Sequence, residues 1–172
     1  MPYPEPLVQP MRAELTRLGV EELTDAAAVD RVMAEADGQT MLVVVNSVCG
    51  CAAANARPAV MMAMQAGHQP DRFVTVFAGQ DLEATARMRE YLVGIPPSSP
   101  FMALLKDGDP VFVLERRHIE GRSASAIATD LVHAFEKFCG TDATASGEAE
   151  RPDLGEQPDA RGELPNTFRS IL

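Results

Sequence analysis

The sequence predicts an α/β protein in which a small mixed β-sheet is covered by helices on both faces. Two apolar runs have the pattern of strands: residues 41–45, whose β-branched content indicates burial on both faces, and residues 73–77. Segments of helical period separate these runs, and strands joined by long helices must be parallel. A short polar turn at residues 106–109 joins two further apolar runs, which must therefore pair antiparallel. Together these observations predict a mixed sheet.

The first part of the chain should supply an N-terminal helical extension, an edge strand and a helix. Prolines at positions 2, 4 and 10 should keep the start of the chain extended, and an amphipathic helix follows over residues 11–18. Residues 20–23 have the pattern of a short edge strand. Thr24 is the predicted N-cap of a helix that reaches about residue 36. Its predicted inner face consists of three residues: Ala28, Val32 and Met33.

Two helices are predicted between the central strand and the proline-rich loop. The first should run to about residue 66 with a kink at Pro58, because proline lacks the backbone N–H that a helix needs. Asp81 is the predicted N-cap of the second, which reaches residue 92. The predicted buried side of this second helix consists of four residues: Leu82, Ala86, Met88 and Leu92.

The last part of the predicted domain is a loop, a hairpin and a helix. Residues 94–100 are too rich in proline to be helical. Runs at 101–105 and 111–114 form the antiparallel hairpin. Ser123 is the predicted N-cap of a helix that reaches residue 138. Its predicted apolar stripe consists of four residues: Ile127, Leu131, Phe135 and Phe138.

The composition predicts one domain, residues 1–140, followed by an acidic tail, residues 141–172. The chain has 172 residues, which is enough for one well-packed core. Beyond Gly140 the residues are mainly Ala, Gly, Pro, Ser and Glu without periodicity, which predicts a disordered tail. The more apolar stretch 164–172 has the composition for transient docking, but we expect it to be an untethered terminus.

Charge and hydropathy exclude several classes of function. A net charge of −10 argues against binding the backbone of nucleic acids or an anionic membrane. No segment approaches the roughly 18 apolar residues that span a bilayer, and residues 1–4 lack the features of a signal peptide. We therefore expect a cytoplasmic protein. In that reducing compartment, cysteines do not form a structural disulfide framework.

The most informative motif is Cys49-Gly50-Cys51 at the junction of the central strand and the next helix. Backbone N–H groups and the helix dipole at such a junction stabilise a thiolate, which predicts a redox site. A zinc or copper site is the alternative, but zinc normally needs three or four protein ligands. We expect no metal, because the three histidines are scattered along the chain: His68, His118 and His133.

These residues resemble the thioredoxin-like fold. Residues 100–108 have the thioredoxin pattern of a proline, a strand and Lys-x-Gly at the same spacing. More narrowly, the sequence is similar to the bacilliredoxin family from about residue 11 to 139. Four segments carry this resemblance: residues 46–53, 75–81, 96–100 and 117–121. The acidic tail after Cys139 is a departure from the family pattern.

The resemblance implies both a fold and an activity. The fold would be a thioredoxin-like three-layer α/β/α arrangement, with a cis peptide bond before Pro100 and that proline facing the dithiol. The activity would be the reduction of mixed disulfides between protein cysteines and bacillithiol. Bacillithiol would then be a co-substrate, with no bound cofactor and with disulfide-bonded proteins as partners. A general disulfide isomerase, a non-catalytic redox switch and a homodimer all remain open.

We assign Cys49 as the nucleophile and Cys51 as the resolving thiol, because Cys49 comes first and should be the more exposed. Release of the small thiol by a second bacillithiol molecule would leave Cys51 dispensable. Gly50 should help to close the small disulfide ring, because it can adopt backbone angles closed to other residues. Three further residues are assigned supporting roles: Asn46, Ser47 and Ser99.

Three residues near the motif or the last helix have competing interpretations. Arg57 either adds positive potential near the dithiol or is a solvated helix residue. His118 is interpreted as a surface or capping residue and not as an acid–base group. Cys139 is interpreted as a buried or peripheral thiol.

Overall fold

The computed structural model describes residues 1–140 and 147–155. Helices and strands alternate along most of the chain, and a π-helical turn at Ala52–Ala56 follows the Cys49-Gly50-Cys51 motif. In these residues the elements are α1 Glu5–Thr16, β1 Glu21–Glu22, α2 Ala26–Ala34, β2 Thr40–Asn46, α3 Arg57–Ala63, β3 Arg72–Phe77, α4 Leu82–Tyr91, β4 Phe101–Lys106, β5 Asp109–Leu114, α5 Arg116–Ile119 and α6 Ala124–Phe138.

The five strands form one mixed sheet in the order β1-β3-β2-β4-β5. β3 is parallel to both β1 and β2, whereas β4 is antiparallel to β2 and to β5. Val43 in the centre of β2 lies opposite Val74 on one side and Ala103 on the other. The mixed sheet is therefore confirmed, and every residue of its central strand is buried.

The sheet separates two hydrophobic cores. Leu42 and Val44 of β2 point to the core that contains α3 and α6, whereas Val43 and Val45 point to the core that contains α2 and α4. Leu15 of α1 joins the first of these cores. Helices on both faces of the sheet confirm the three-layer α/β/α architecture that the thioredoxin-like resemblance implies.

The prediction of an extended arm was wrong for residues 5–10, because α1 begins at Glu5 and includes Pro10, whereas residues 1–4 are not helical. Pro6 lies in the first turn, where a backbone N–H has no helical partner anyway. Arg12 connects α1 to β1 and to the start of α4. It is 7% exposed and forms salt bridges of 2.6–2.7 Å to three acidic groups: Glu5, Glu22 and Asp81.

Tertiary contacts also change two predicted helix caps. Asp25, not Thr24, caps α2 by accepting a hydrogen bond from Ala28 N (2.8 Å). Asp81 does occupy the N-cap position of α4, but its carboxylate binds Arg12 and not the helix backbone. The position of this cap was therefore predictable, whereas its partner was not.

The buried faces of α2 and α4 differ in part from the predicted ones. In α4, Leu82 is 58% exposed, and the face that packs against α2 and β3 instead contains Ala84, Thr85 and Met88. In α2 the buried residues are Val29 and Val32. Where two helices cover one sheet face, the buried face of each helix depends on its packing against the other. The spacing of apolar residues within one helix does not determine that packing.

The kink expected at Pro58 takes the form of a change of helix type. Residues Ala52–Ala56 form the π-helical turn, in which Arg57 N donates to Ala52 O, and α3 follows directly. Pro58 offers no N–H to the carbonyl one turn earlier, which is the physical reason for the wider turn. The segment stays helical to Ala63, slightly less far than expected.

The hairpin and the last helix are confirmed. Asp107 and Gly108 both have positive φ (53° and 81°) in the turn between β4 and β5. Ser123 caps α6 through its hydroxyl, which accepts from Ala126 N (3.2 Å). All four predicted stripe residues of α6 are buried. The one-turn helix α5 was not predicted.

Part of the predicted disordered tail is docked, which corrects that prediction for residues 147–155. Glu150 extends the sheet beside β5, where Val113 N donates to Glu150 O (2.8 Å) and Glu150 N donates to Val111 O (2.9 Å). Arg151 forms a salt bridge to Glu115 (3.2 Å). An unpaired strand edge can recruit passing backbone, even from a segment without periodicity. The stretch 164–172 lies outside the described residues.

Candidate redox site

The dithiol lies just beyond the carboxyl end of β2. Cys49 and Cys51 are joined by a disulfide, with a Cα–Cα distance of 5.4 Å. Both cysteines are half-buried. Gly50 between them is exposed and does not have a positive φ, so the unusual backbone angles expected of it are not used here.

Hydrogen bonding does distinguish the two sulfurs. Cys49 Sγ accepts from Ser47 Oγ (3.2 Å) and from Ala52 N in the first helical turn (3.3 Å). Within the described residues, no hydrogen bond reaches Cys51 Sγ. Donors that point at a sulfur favour the thiolate over the thiol. The arrangement is thus suited to a reactive thiolate at Cys49.

The side of the dithiol that faces the helix is held by a buried arginine, Arg57, which is 3% exposed. Its Nη1 donates to Asn46 Oδ1 (3.0 Å) and to Ser47 O (3.1 Å), and its Nε donates to Glu14 of α1 (2.6 Å). Asn46 Oδ1 also accepts from Ser47 N (2.9 Å). Arg57 therefore fixes the backbone of the serine that contacts Cys49, and it is not a solvated helix residue.

A second side of the site is formed by the proline-rich loop, because Ser99 lines a groove together with Cys49. The Ser99–Pro100 peptide bond is cis, and Pro100 is buried. Arg116 of α5 holds this loop, because its Nη1 donates to Ser99 O (3.3 Å) and its backbone N donates to Ser98 Oγ (3.3 Å). Contacts with α5, which the sequence does not reveal, thus hold the loop in place.

A groove of about 370 Å³ opens beside Cys49. Tyr3 forms part of its wall, because Gln80 binds the backbone N and O of Tyr3 (2.8 and 3.0 Å) and holds the start of the chain in place. Two arginines, Arg89 and Arg116, contribute positive charge. The remaining lining residues are Ser47, Val48, Ala78, Gly79 and Ser99.

The groove unites some of the residues that the sequence singled out and adds others. Cys49, Ser47 and Ser99 line it, whereas Asn46 is buried behind them. Sequence reasoning missed Arg89 and Arg116, and it missed Tyr3 as well. The one available signal was that Arg89 lies in the last turn of α4, directly before the proline-rich loop.

His118 has a structural role in the capping of α5. Its Nδ1 accepts from Glu115 N (2.9 Å), and the imidazole is buried. Burial lowers the pKa of His118, with a further contribution from the nearby Arg117 guanidinium. The capping interpretation fits this geometry, although the residue is buried and does not lie on the surface.

Cys139 lies at the end of α6 and is 3% exposed. Burial raises the pKa of this thiol, so its reactive thiolate form is disfavoured. In the described part of the chain, no cluster of three or more His, Cys, Asp or Glu side chains is arranged to hold a metal ion. Nor does any helix there have the length and apolar character required to cross a bilayer.

Comparisons with known proteins agree with this site. A family model described as disulphide isomerase matches residues 3–139. A bacilliredoxin of Salinibacter ruber is 61% identical over 173 residues and covers 99% of both chains. A bacilliredoxin of Bacillus licheniformis is 54% identical and covers 80% of this chain and 95% of its own. The first of these relatives therefore shares the tail.

A fold comparison gives a TM-score of 0.48 to the thioredoxin of Fasciola hepatica, at 19% identity over 67% of this chain and 99% of that one. The thioredoxin-like assignment depends on the strand order, the helices on both sheet faces and the position of the cis proline.

Proposed function

We propose that this chain, which belongs to the bacilliredoxin family of thiol–disulfide oxidoreductases, reduces mixed disulfides between protein cysteines and bacillithiol. Membership of the family shows the class of reaction, which is thiol–disulfide exchange. The identity of the small thiol, bacillithiol, is what we propose. The observation that supports it is the groove beside Cys49, whose volume of about 370 Å³ suits a small molecule bonded to that sulfur.

In the proposed reaction, the Cys49 thiolate attacks the sulfur of the small thiol in the mixed disulfide. That S–S bond breaks, its electron pair leaves with the protein sulfur, and a new disulfide joins Cys49 to the small thiol. Cys51 then loses its proton to solvent and attacks Cys49 Sγ, which releases the small thiolate. The dithiol is oxidised by two electrons and the mixed disulfide is reduced by two, which leaves the Cys49–Cys51 disulfide seen here.

The remaining parts of the proposal concern setting and partners. Bacillithiol acts as a co-substrate and no resident cofactor takes part. The protein partners carry bacillithiol on a cysteine, and the reaction takes place in the cytoplasm. Asn46, Ser47 and Ser99 position the reacting groups, with Pro100 beside the dithiol.

A single-turnover experiment tests this function. Fully reduced protein is mixed with a bacillithiolated test protein, and the released thiol and any adduct on the enzyme are followed by mass spectrometry. Wild type should release one equivalent of bacillithiol and become oxidised. Cys49→Ser should release none, and Cys51→Ser should stop with bacillithiol bonded to Cys49. Cys139→Ser is the control and should behave as wild type, because Cys139 is buried away from the groove.

A general disulfide isomerase is the second candidate, and the description of the matching family model favours it. The same preparations can be tested for reshuffling of a protein with scrambled disulfides. If wild type reshuffles those disulfides but leaves the bacillithiolated protein intact, the bacillithiol assignment is wrong and the isomerase assignment replaces it.

A further inference from the structure

Arg89 differs from the other arginines that are withdrawn from solvent. Six partly or fully buried arginines in the described residues form salt bridges: Arg12, Arg57, Arg72, Arg87, Arg122 and Arg151. Arg89 is half-buried, yet within residues 1–140 and 147–155 its side chain has neither an ion pair nor a hydrogen bond, and its Nε is buried without a partner. The fold therefore leaves the desolvation of this cation uncompensated.

Arg89 lies in the wall of the same groove as Cys49. The second cation of the groove, Arg116, is already engaged, because it binds Glu120 (3.2 Å) and Ser99 O (3.3 Å). Arg89 is thus the groove arginine with unused bonding capacity. A guanidinium binds a carboxylate through two parallel N–H···O bonds, so it is suited to a small acidic ligand.

We propose that Arg89 binds a carboxylate of the small thiol while the sulfur of that thiol is attacked by Cys49. This inference rests on the proposed function and names its substrate class as thiols that carry a carboxylate. It also explains the direction of the reaction. With the acidic thiol held in the groove, its own sulfur is the one presented to Cys49, and the protein sulfur is the leaving group.

The charge of the protein makes such a device necessary. At a net charge of −10 the chain repels anions as a whole, so an acidic thiol needs a local cation to approach the dithiol. Arg89 and Arg116 supply positive charge at the groove. A neutral thiol of the same shape would gain nothing from Arg89.

The test uses two mixed disulfides on one test protein, formed with N-acetylcysteine and with N-acetylcysteine amide. These thiols differ only in a carboxylate that is replaced by a neutral amide. Wild type should react roughly 10-fold faster with the carboxylate substrate, as expected for a charged hydrogen-bonded pair. In Arg89→Gln this ratio should fall close to one, and in Arg89→Lys it should be intermediate, because the charge remains without the two-point geometry.

Arg17→Gln is the matched control, because Arg17 is an exposed arginine that does not line the groove. It should keep the wild-type ratio. The proposal is overturned if wild type shows no preference, or if Arg89→Gln slows both substrates equally and keeps the ratio. The second result would mean that Arg89 acts only by supporting the loop.

A stoichiometric measurement separates this proposal from the proposed function. Reduced protein is reacted with dithiobis(nitrobenzoate), which carries carboxylates, and with the uncharged dithiodipyridine. If wild type releases no bacillithiol from the bacillithiolated test protein, the proposed function fails. The rate with dithiobis(nitrobenzoate) divided by the rate with dithiodipyridine still tests whether Arg89 favours an anionic thiol. If this ratio is lower in Arg89→Gln than in wild type, the proposal is supported. If the ratio is unchanged, the proposal is refuted.

Discussion

The two sides of the dithiol are built in opposite ways. On the helix side, Asn46, Ser47 and Arg57 are buried and bonded to one another, and Glu14 ties them to α1. On the loop side, Arg89 lines an open groove without a partner among the described residues. An arginine is thus hydrogen-bonded on the helix side, whereas Arg89 on the loop side has no partner among the described residues.

This difference separates two tasks of the site. The helix side sets the chemistry, because its contacts decide where the donors to Cys49 Sγ stand. The loop side sets access, because a substrate must pass through the groove that it lines. Substitutions on the helix side should therefore change stability or thiol reactivity, whereas those on the loop side should change substrate preference.

The largest effect should come from Arg57→Met. This change removes donors to Asn46 Oδ1 and Ser47 O in the interior, and we expect the free energy of unfolding to fall by about 2–3 kcal/mol in urea titrations. Glu14→Gln is the matched control. Glu14 is half-exposed, so its loss should cost less than about 1 kcal/mol. If both variants lose the same unfolding free energy, the Arg57–Glu14 ion pair stabilises the helix side, and the hydrogen bonds from Arg57 to Asn46 and Ser47 do not.

Ser47→Ala should affect reactivity more than stability. It removes the hydroxyl that donates to Cys49 Sγ, so the thiolate is less favoured. We expect Cys49 to react about 10-fold more slowly with a small disulfide at neutral pH. Ser98→Ala, on the loop side, is the control and should leave this rate unchanged. A Ser47→Ala variant as fast as wild type would leave Ala52 N as the sole donor that matters.

Most of the secondary structure was predictable from the sequence because it depends on local patterns of residues. The β-branched runs of β2 and β3, the polar turn before β5 and the caps of the last helix each carry a strong pattern. The sequence pattern that indicates the buried face of α4 is weaker. Leu82 fits a helical stripe by spacing, but it is exposed because α4 packs to suit α2. Patterns within one segment cannot contain such contacts between segments.

The site divides in the same way. The position of Cys49 after a buried strand is a local feature, and it was enough to predict the redox centre. The partners of Arg57 and the lack of partners at Arg89 depend on residues distant in sequence. Docking of Glu150 beside β5 depends on the open edge of the sheet. The sequence of the tail alone therefore does not predict it.

A smaller, pH-dependent effect tests α5, which connects the two sides through bonds from Asn55 to Ile119 O and from Arg116 to Ser99 O. Burial lowers the pKa of His118, so the unfolded chain binds the proton more readily than the folded protein does. Stability should therefore decrease as the pH falls below about 6.5, the unfolded value, until the lower folded pKa is reached.

His118→Asn keeps an acceptor for Glu115 N and removes this titration. Unfolding free energies measured in urea at about pH 7 and about pH 5.5 should differ by up to about 1 kcal/mol more in wild type than in the variant. An equal decrease in both proteins would assign the acid sensitivity to carboxylates. One of these is Glu115: burial would raise its pKa, but hydrogen bonds from Arg117 and Arg151 lower it overall.

Gly50→Ala should have the smallest effect and probes whether the helix side needs a glycine between the cysteines. Gly50 does not have a positive φ, and a Cβ there would meet no atom within 4 Å. Alanine should therefore raise the free energy of unfolding by about 0.5 kcal/mol, because it restricts the unfolded chain. Gly108→Ala is the control: its φ of 81° strains any side chain, so it should be destabilising. A different result would be a Gly50→Ala variant that is more stable than wild type but whose Cys49–Cys51 disulfide cannot be reduced and formed again. In that case the glycine is needed for the change between the two redox states and not for the fold.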